Sequence, residues 1–230
     1  MTKKKAKVIT KVIGRNDKGY YTISGNPDYI SVTTGMSKVF GVPSSMIKYY
    51  YCKLGYDEAI ADREAKGEYG TNAHKVLEDY FINGVHVPED FTHRAECIAE
   101  KYNELGLEIL AGELTGYSHK LKAAGTMDVL AIYRDTIYII DYKTGSQDKH
   151  KECMQLGTYG QMIIEMIKSG EFEHELIDKD IEYTVKGLVI HIGREDKTPK
   201  FTTFDEDLMK EGAKAFKNVL NIIKYRKIKK

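Results

Sequence analysis

The stretch GTMDVLAIYRDTIYIIDYK, residues 125–143, decides how the rest of the chain is read. Gly125–Tyr133 and Thr136–Tyr142 are rich in β-branched and aromatic residues, and only Arg134-Asp135 separates them, so a hairpin with a two-residue turn is expected. Counting back from that turn sets Tyr133 against Thr136, Val129 against Ile140, and Asp128 against Asp141. Directly opposed β-carbons lie roughly 4.5–5.5 Å apart, so two carboxylates meet at the end of an apolar ribbon. Lys143, two residues beyond Asp141, points to the same face. Paired like charges destabilise a fold unless one is protonated or a cation lies between them. The trio alone admits two readings of equal weight: a salt-bridge cluster in which Lys143 neutralises one aspartate, or a metal site. A one-residue slip in register would send the two aspartates to opposite faces.

Apolar residues on both faces of the hairpin mark strands covered on both sides. Working outward, Lys7–Ile13 and Gly19–Ile23 read as an earlier hairpin that Gly25-Asn26-Pro27 ends, with Tyr29–Thr34 a short extended piece. Helical patterning runs from Pro43 to about Lys66, is interrupted by Gly67 and Gly70, and resumes over Thr71–Ile82. A further helix is expected from Asp90 to Leu110, where Ile98, Tyr102, Leu105 and Ile109 recur at helical spacing. After the hairpin, His150–Ser169 reads as helix, Tyr183–Gly193 and Phe201–Thr203 as strands, and Asp205–Tyr225 as a closing helix capped by Asp205. No repeat or low-complexity linker divides the chain. The expected fold is therefore one α/β domain over 1–230: a hairpin and extended segment (1–42), a helical elaboration (43–112), and a core with its closing helix (113–230).

Composition bounds the function classes. The 230 residues are 42% hydrophobic and 30% charged, enough for one sizeable core and too apolar for a disordered chain. A formal charge of +1 gives no bulk attraction to nucleic acid, so a polyanion must be met locally. Residues 1–16 and 217–230 each carry six Lys/Arg and no acid, whereas 57–113 hold fourteen acids against five Lys/Arg. The basic ends read either as phosphate contacts or as solvated, frayed termini. Cys52, Cys97 and Cys153 fit neither a disulfide framework nor a metal knuckle, so reduced thiols in a cytosolic protein are expected. No leader-like segment or long apolar span stands out, and no membrane partner is expected.

Two helical pairs add to the aspartates and lysine. His74 and Glu78 are four apart and share a helix face, where a carboxylate could orient a metal-bound imidazole. Gln155 and Tyr159 are likewise four apart on the helix after Asp141-Tyr142-Lys143. The tyrosine run Tyr49-Tyr50-Tyr51 with Tyr56 could stack bases, but consecutive residues cannot share one helix face, and structural packing is the better reading.

The ordered set Gly70-Thr71-x-x-His74, Gly125-Thr-Met-Asp128, Asp141-Tyr-Lys143-Thr-Gly145 and Gln155-x-x-x-Tyr159, opened by Ser31-Val-Thr-Thr34, resembles the PD-(D/E)XK nuclease superfamily. Within it the pattern is most similar to the RecB-type exonuclease branch that includes mitochondrial genome maintenance exonuclease and many phage nucleases. The resemblance covers Ser31 to Tyr159, more than half the chain. It implies a central mixed sheet flanked by helices. It also implies Mg²⁺ or Mn²⁺ held by His74, Asp128, Asp141 and the Tyr142 carbonyl, with Lys143 catalytic and Gln155 and Tyr159 contacting DNA or bracing the site. Glu113 matches an acid often present upstream. The iron–sulfur relatives need four cysteines, so no cluster is expected, and no phosphate-binding helicase loop is present.

The implied activity is metal-dependent hydrolysis of DNA, from free or single-stranded ends, in replication, repair or recombination inside a bacterial or phage-infected cell. Oxygen-dominated ligands suit those ions, and a bound divalent ion supplies charge neutralisation and hydroxide near neutral pH. Two other readings share the pattern: a structure- or sequence-specific endonuclease, and an inactive DNA-binding module.

Overall fold

The computed structural model describes residues 6–10, 12–41, 44–193 and 198–228. Short strands come first: β1 (Lys7–Val8), β2 (Val12–Ile13), β3 (Tyr20–Ile23) and β4 (Asn26–Ser31). Helices follow, α1 (Val32–Phe40), α2 (Ser44–Leu54), α3 (Tyr56–Asn83) and α4 (Glu89–Glu104). Three long strands carry the centre, β5 (Glu108–Ser118), β6 (Ala123–Tyr133) and β7 (Thr136–Lys143). The rest is α5 (Lys149–Lys168), β8 (Phe172–Glu173), β9 (Thr184–His191), β10 (Lys200–Phe204) and α6 (Glu206–Ile228).

The main sheet runs β10-β9-β7-β6-β4-β3-β2, with β5 paired to β6 outside this path. It is mixed: β7 lies parallel to β9, and β4 parallel to β6. The central hairpin has the expected register, from Tyr133 against Thr136 to Val129 against Ile140. Alternate residues of β7 feed opposite layers. Ile137 and Ile139 join Leu156, Met162 and Phe216 beneath α1, α5 and α6, while Tyr138, Ile140 and Tyr142 join Leu77, Phe91 and Ile98 beneath α3 and α4. The chain is thus an α/β protein with a mixed sheet between helical layers. No helix among the described residues is long and apolar enough to cross a membrane.

Several expectations need correction. α3 is continuous from Tyr56 to Asn83 rather than broken at Gly67 and Gly70. A helical glycine costs only about 1 kcal/mol relative to alanine, too little by itself to break a helix of 28 residues. At Gly70 the small residue also has a use, since a β-carbon there would stand 3.1 Å from Thr144 Oγ1. The real break is Gly55, at φ +84°.

Helix α4 stops at Glu104 instead of Leu110, and Gly106, at φ +65°, turns the chain into β5. Thr33 and Thr34, expected to be extended, open α1. Asn26 and Pro27 begin a strand rather than ending the hairpin, and Lys7–Val8 pairs with β8 while only Val12–Ile13 pairs with β3. Pro43 and the terminal lysines at 1–5 and 229–230 lie outside the described residues, as does the side chain of Tyr49. Tyr50 of α2 bonds Asp62 of α3, and Tyr51 stacks at 5.5 Å on Tyr56, which is 70% exposed.

The two closing helices cross at glycines. A β-carbon at Gly157 would fall 2.2 Å from Met209 O, and one at Gly212 would fall 2.2 Å from Cys153 O. Backbone cannot yield as a flexible side chain can, so Gly157→Ala is expected to lower unfolding stability by about 2–3 kcal/mol. Urea denaturation measures this, and an unchanged midpoint would show that the crossing is looser than described.

Candidate active site

The site forms where the sheet opens. β6 pairs with β7 as far as Val129 and with β4 at Ala123 and Ala124, along the same edge because β5 occupies the other. Residues 125–128 fall between these two ladders. Asp128, one step past the last rung, bonds the backbone of the facing strand: the Tyr142 N–H donates to its Oδ2 at 2.7 Å. Its Oδ1 lies 3.3 Å from His74 Nδ1. The Tyr142 ring stands edge-on to the imidazole at 5.9 Å, and its hydroxyl is tied to that of Tyr102 at 2.8 Å, so α3, α4 and β7 are fixed against one another here.

Glu113 completes this group. The β5–β6 register, Gly112 with Val129 and Leu114 with Met127, sets it across from Asp128. Its backbone is at φ +45°, a conformation that costs a non-glycine residue about 1–3 kcal/mol and persists where surrounding structure enforces it. One donor atom each from His74, Glu113 and Asp128 lies within 4.8 Å of the others.

A second group adjoins the first. Asp141, 3% exposed, is paired through Oδ2 with Lys143 Nζ at 2.5 Å. The Gln155 amide donates to Asp141 Oδ1 at 3.0 Å and to the Tyr159 hydroxyl at 3.4 Å, and its carbonyl accepts from Lys143 at 3.4 Å. Gln155 therefore has one orientation that satisfies every partner, and it braces aspartate and lysine together. Tyr159 in turn seats its ring against Gly125, where a β-carbon would fall 2.4 Å from Cε1.

Electrostatics follow from burial. Burial first, and the Asp128 charge second, push Asp141 up to about 6 in spite of Lys143. Burial works against the charged form of His74, but Asp128 outweighs it and the imidazole is held above its ordinary value. Burial and then Asp128 and Glu78 raise Glu113. Each of these groups binds its proton more tightly when folded. Their contribution to stability is therefore fully present below the unfolded pKa and is lost as pH rises through the folded one: from about 4 to about 6 for Asp141, and above about 6.5 for His74. A cation bound here must displace those protons, so the rise in melting temperature caused by Mn²⁺ is expected to be small at pH 5.5 and larger at pH 7.5. Thermal scans at both pH values measure it, and equal shifts would place the ion elsewhere.

The structure brings together His74, Asp128, Asp141, Tyr142, Lys143, Gln155 and Tyr159, as the sequence reading expected. Three details differ. The carboxylate that meets His74 is that of Asp128, while Glu78, one turn further along α3, acts through its charge on Glu113. Glu113 stands among the donors rather than behind them. Asp141 lies outside that triplet because Lys143, on the same face of β7, reaches its oxygen. Sequence reasoning also missed Glu152, a buried acid in α5 beside His191.

No protein-family model and no curated protein matches the chain. A solved structure described as "Crystal structure of SSO0001" aligns over 82% of this chain and 75% of its own, at 16% identity and a TM-score of 0.35. A likeness at that level bears on neither fold family nor function.

Proposed function

We propose that this protein is a divalent-metal-dependent deoxyribonuclease of the PD-(D/E)XK type, acting as an exonuclease on single strands or free ends. The observation that carries the reading is the donor triplet of His74, Glu113 and Asp128 set against the Asp141–Lys143 pair. Two carboxylates and one imidazole fit Mg²⁺ or Mn²⁺ in donor chemistry, and the family resemblance implies Asp141 and the Tyr142 carbonyl as further ligands. A divalent ion there supplies phosphate neutralisation and a hydroxide at neutral pH.

The chain's own residues do the rest. Asp141 and Gln155 hold the Lys143 ammonium, and while that pair is intact burial opposes its charge but Asp141 and then Asp128 keep its pKa above the ordinary value. As a cation it is placed to orient the attacking water and offset charge that builds on the phosphate. The Gln155 amide, which also bonds the Tyr159 hydroxyl, holds Asp141 Oδ1 in place.

The test is cleavage of end-labelled single-stranded DNA. EDTA is expected to stop it, Mg²⁺ or Mn²⁺ to restore it, and Ca²⁺, whose coordination is longer and looser, to bind without supporting turnover. Full activity in metal-stripped protein would refute the proposal.

A further inference from the structure

Glu152 lies one turn ahead of Gln155 on α5 and is 4% exposed. Its Oε1 accepts the Asp148 N–H at 3.0 Å and stands 3.2 Å from His191 Nε2. Its Oε2 is buried and has no hydrogen-bond partner among the described residues. Closing the start of α5 does not explain this: capping there needs one carboxylate oxygen, already used, and Asp148 caps the Lys151 N–H as well. A buried, unmatched acceptor calls for another occupant.

The neighbour is Lys143. His191 is its partner in the β7–β9 ladder, and paired residues project from the same face of a sheet. Burial opposes the Lys143 charge, and Asp141 first, then Asp128 and Glu152, are the carboxylates that offset it. In contact, however, Lys143 has a single carboxylate among the described residues, Asp141. If Asp141 serves a metal ion, the ammonium loses that partner inside a largely buried site, where an unpaired charge is strongly disfavoured.

We propose that Glu152 is a positioning residue for Lys143: the Asp148 N–H holds one of its oxygens, and the other receives the ammonium when Asp141 engages a cation. The inference rests on the metal-site reading above. It makes Glu152 the element that lets one aspartate serve lysine and metal in turn.

The test is Mn²⁺ binding by calorimetry on the full chain, comparing wild type, Glu152→Gln, Lys143→Ala and the double variant. With Lys143 present, Glu152→Gln is expected to weaken Mn²⁺ binding about tenfold, because the lysine can no longer release Asp141. With Lys143→Ala the same change is expected to alter binding by no more than about twofold. On DNA, Glu152→Gln is expected to lower kcat with KM unchanged.

Equal losses in both backgrounds, or none in either, would reduce Glu152 to a helix cap and overturn the proposal while leaving the metal site intact. Failure of the wild type to bind Mn²⁺ would sink the metal-site reading, and this inference with it. Should Glu152→Gln not fold, Glu152→Asp, which keeps the charge but is one methylene shorter toward the ammonium, is expected to weaken Mn²⁺ binding in the same direction, again only with Lys143 present. An unchanged affinity in that variant would equally refute the proposal.

Discussion

Lys143→Ala and Asp128→Asn are each expected to reduce DNA hydrolysis about a hundredfold or more while the protein stays folded. In the proposed mechanism Lys143 acts mainly on charge that appears in the transition state, so its loss falls on kcat. Removing it strands the Asp141 carboxylate, which already titrates near 6 and answers by staying protonated rather than by unfolding the sheet. Asp128→Asn keeps the side chain's shape and an oxygen for the Tyr142 N–H, yet deletes the charge shared with His74. Its loss is expected to be only partly recovered by raising the Mn²⁺ concentration. Rates from purified variants with unaltered circular dichroism measure both effects. Near-wild-type turnover in either would mean that the cluster is a salt-bridge network and not a catalytic centre.

The second large effect concerns ends. Linear single-stranded DNA is expected to be degraded to short oligonucleotides, blunt duplex slowly, and a closed circle of the same sequence to survive the time that consumes the linear strand. α3 has 28 residues, about 42 Å of helix, and His74 lies 18 residues from Tyr56, so about five turns of helix run beyond the site on that side. From residue 60 to residue 72 no described side chain is buried, and α2 packs back on this stretch. A helical pair that reaches past a catalytic centre can roof it, and a roofed site admits a flexible strand by its end while excluding the stiffer duplex. The acidic surplus of residues 57–113 repels a strand lying across the outside, which leaves threading as the easier approach. Gel analysis of labelled circles and linear strands decides the matter. Rapid cutting of the circle would move the protein to the endonuclease reading with its metal chemistry unchanged.

The amino-acid sequence by itself determined what depends on short spacing. A two-residue turn dictates that Asp128 faces Asp141, a period of two puts Lys143 beside Asp141, and a period of 3.6 lets Gln155 and Tyr159 act together from α5. Asp205, read as a cap, does accept the Leu208 N–H. What only the tertiary structure decided involves residues far apart or segments whose local signal is weak. β5 was hidden because Gly112 and Gly116 have no strand preference, and both are required by close packing, against Ile82 and Met127 respectively. With β5 hidden, the placement of Glu113 beside Asp128 could not be read. The continuity of α3 through two glycines reflects how small the helical glycine penalty is against the length of the helix. The choice of Asp128 rather than Glu78 as the partner of His74, and the meeting of Glu152 with His191 next to Lys143, depend on how helices settle on the sheet. Such contacts are settled by burial and charge summed over the whole fold, which no local pattern records.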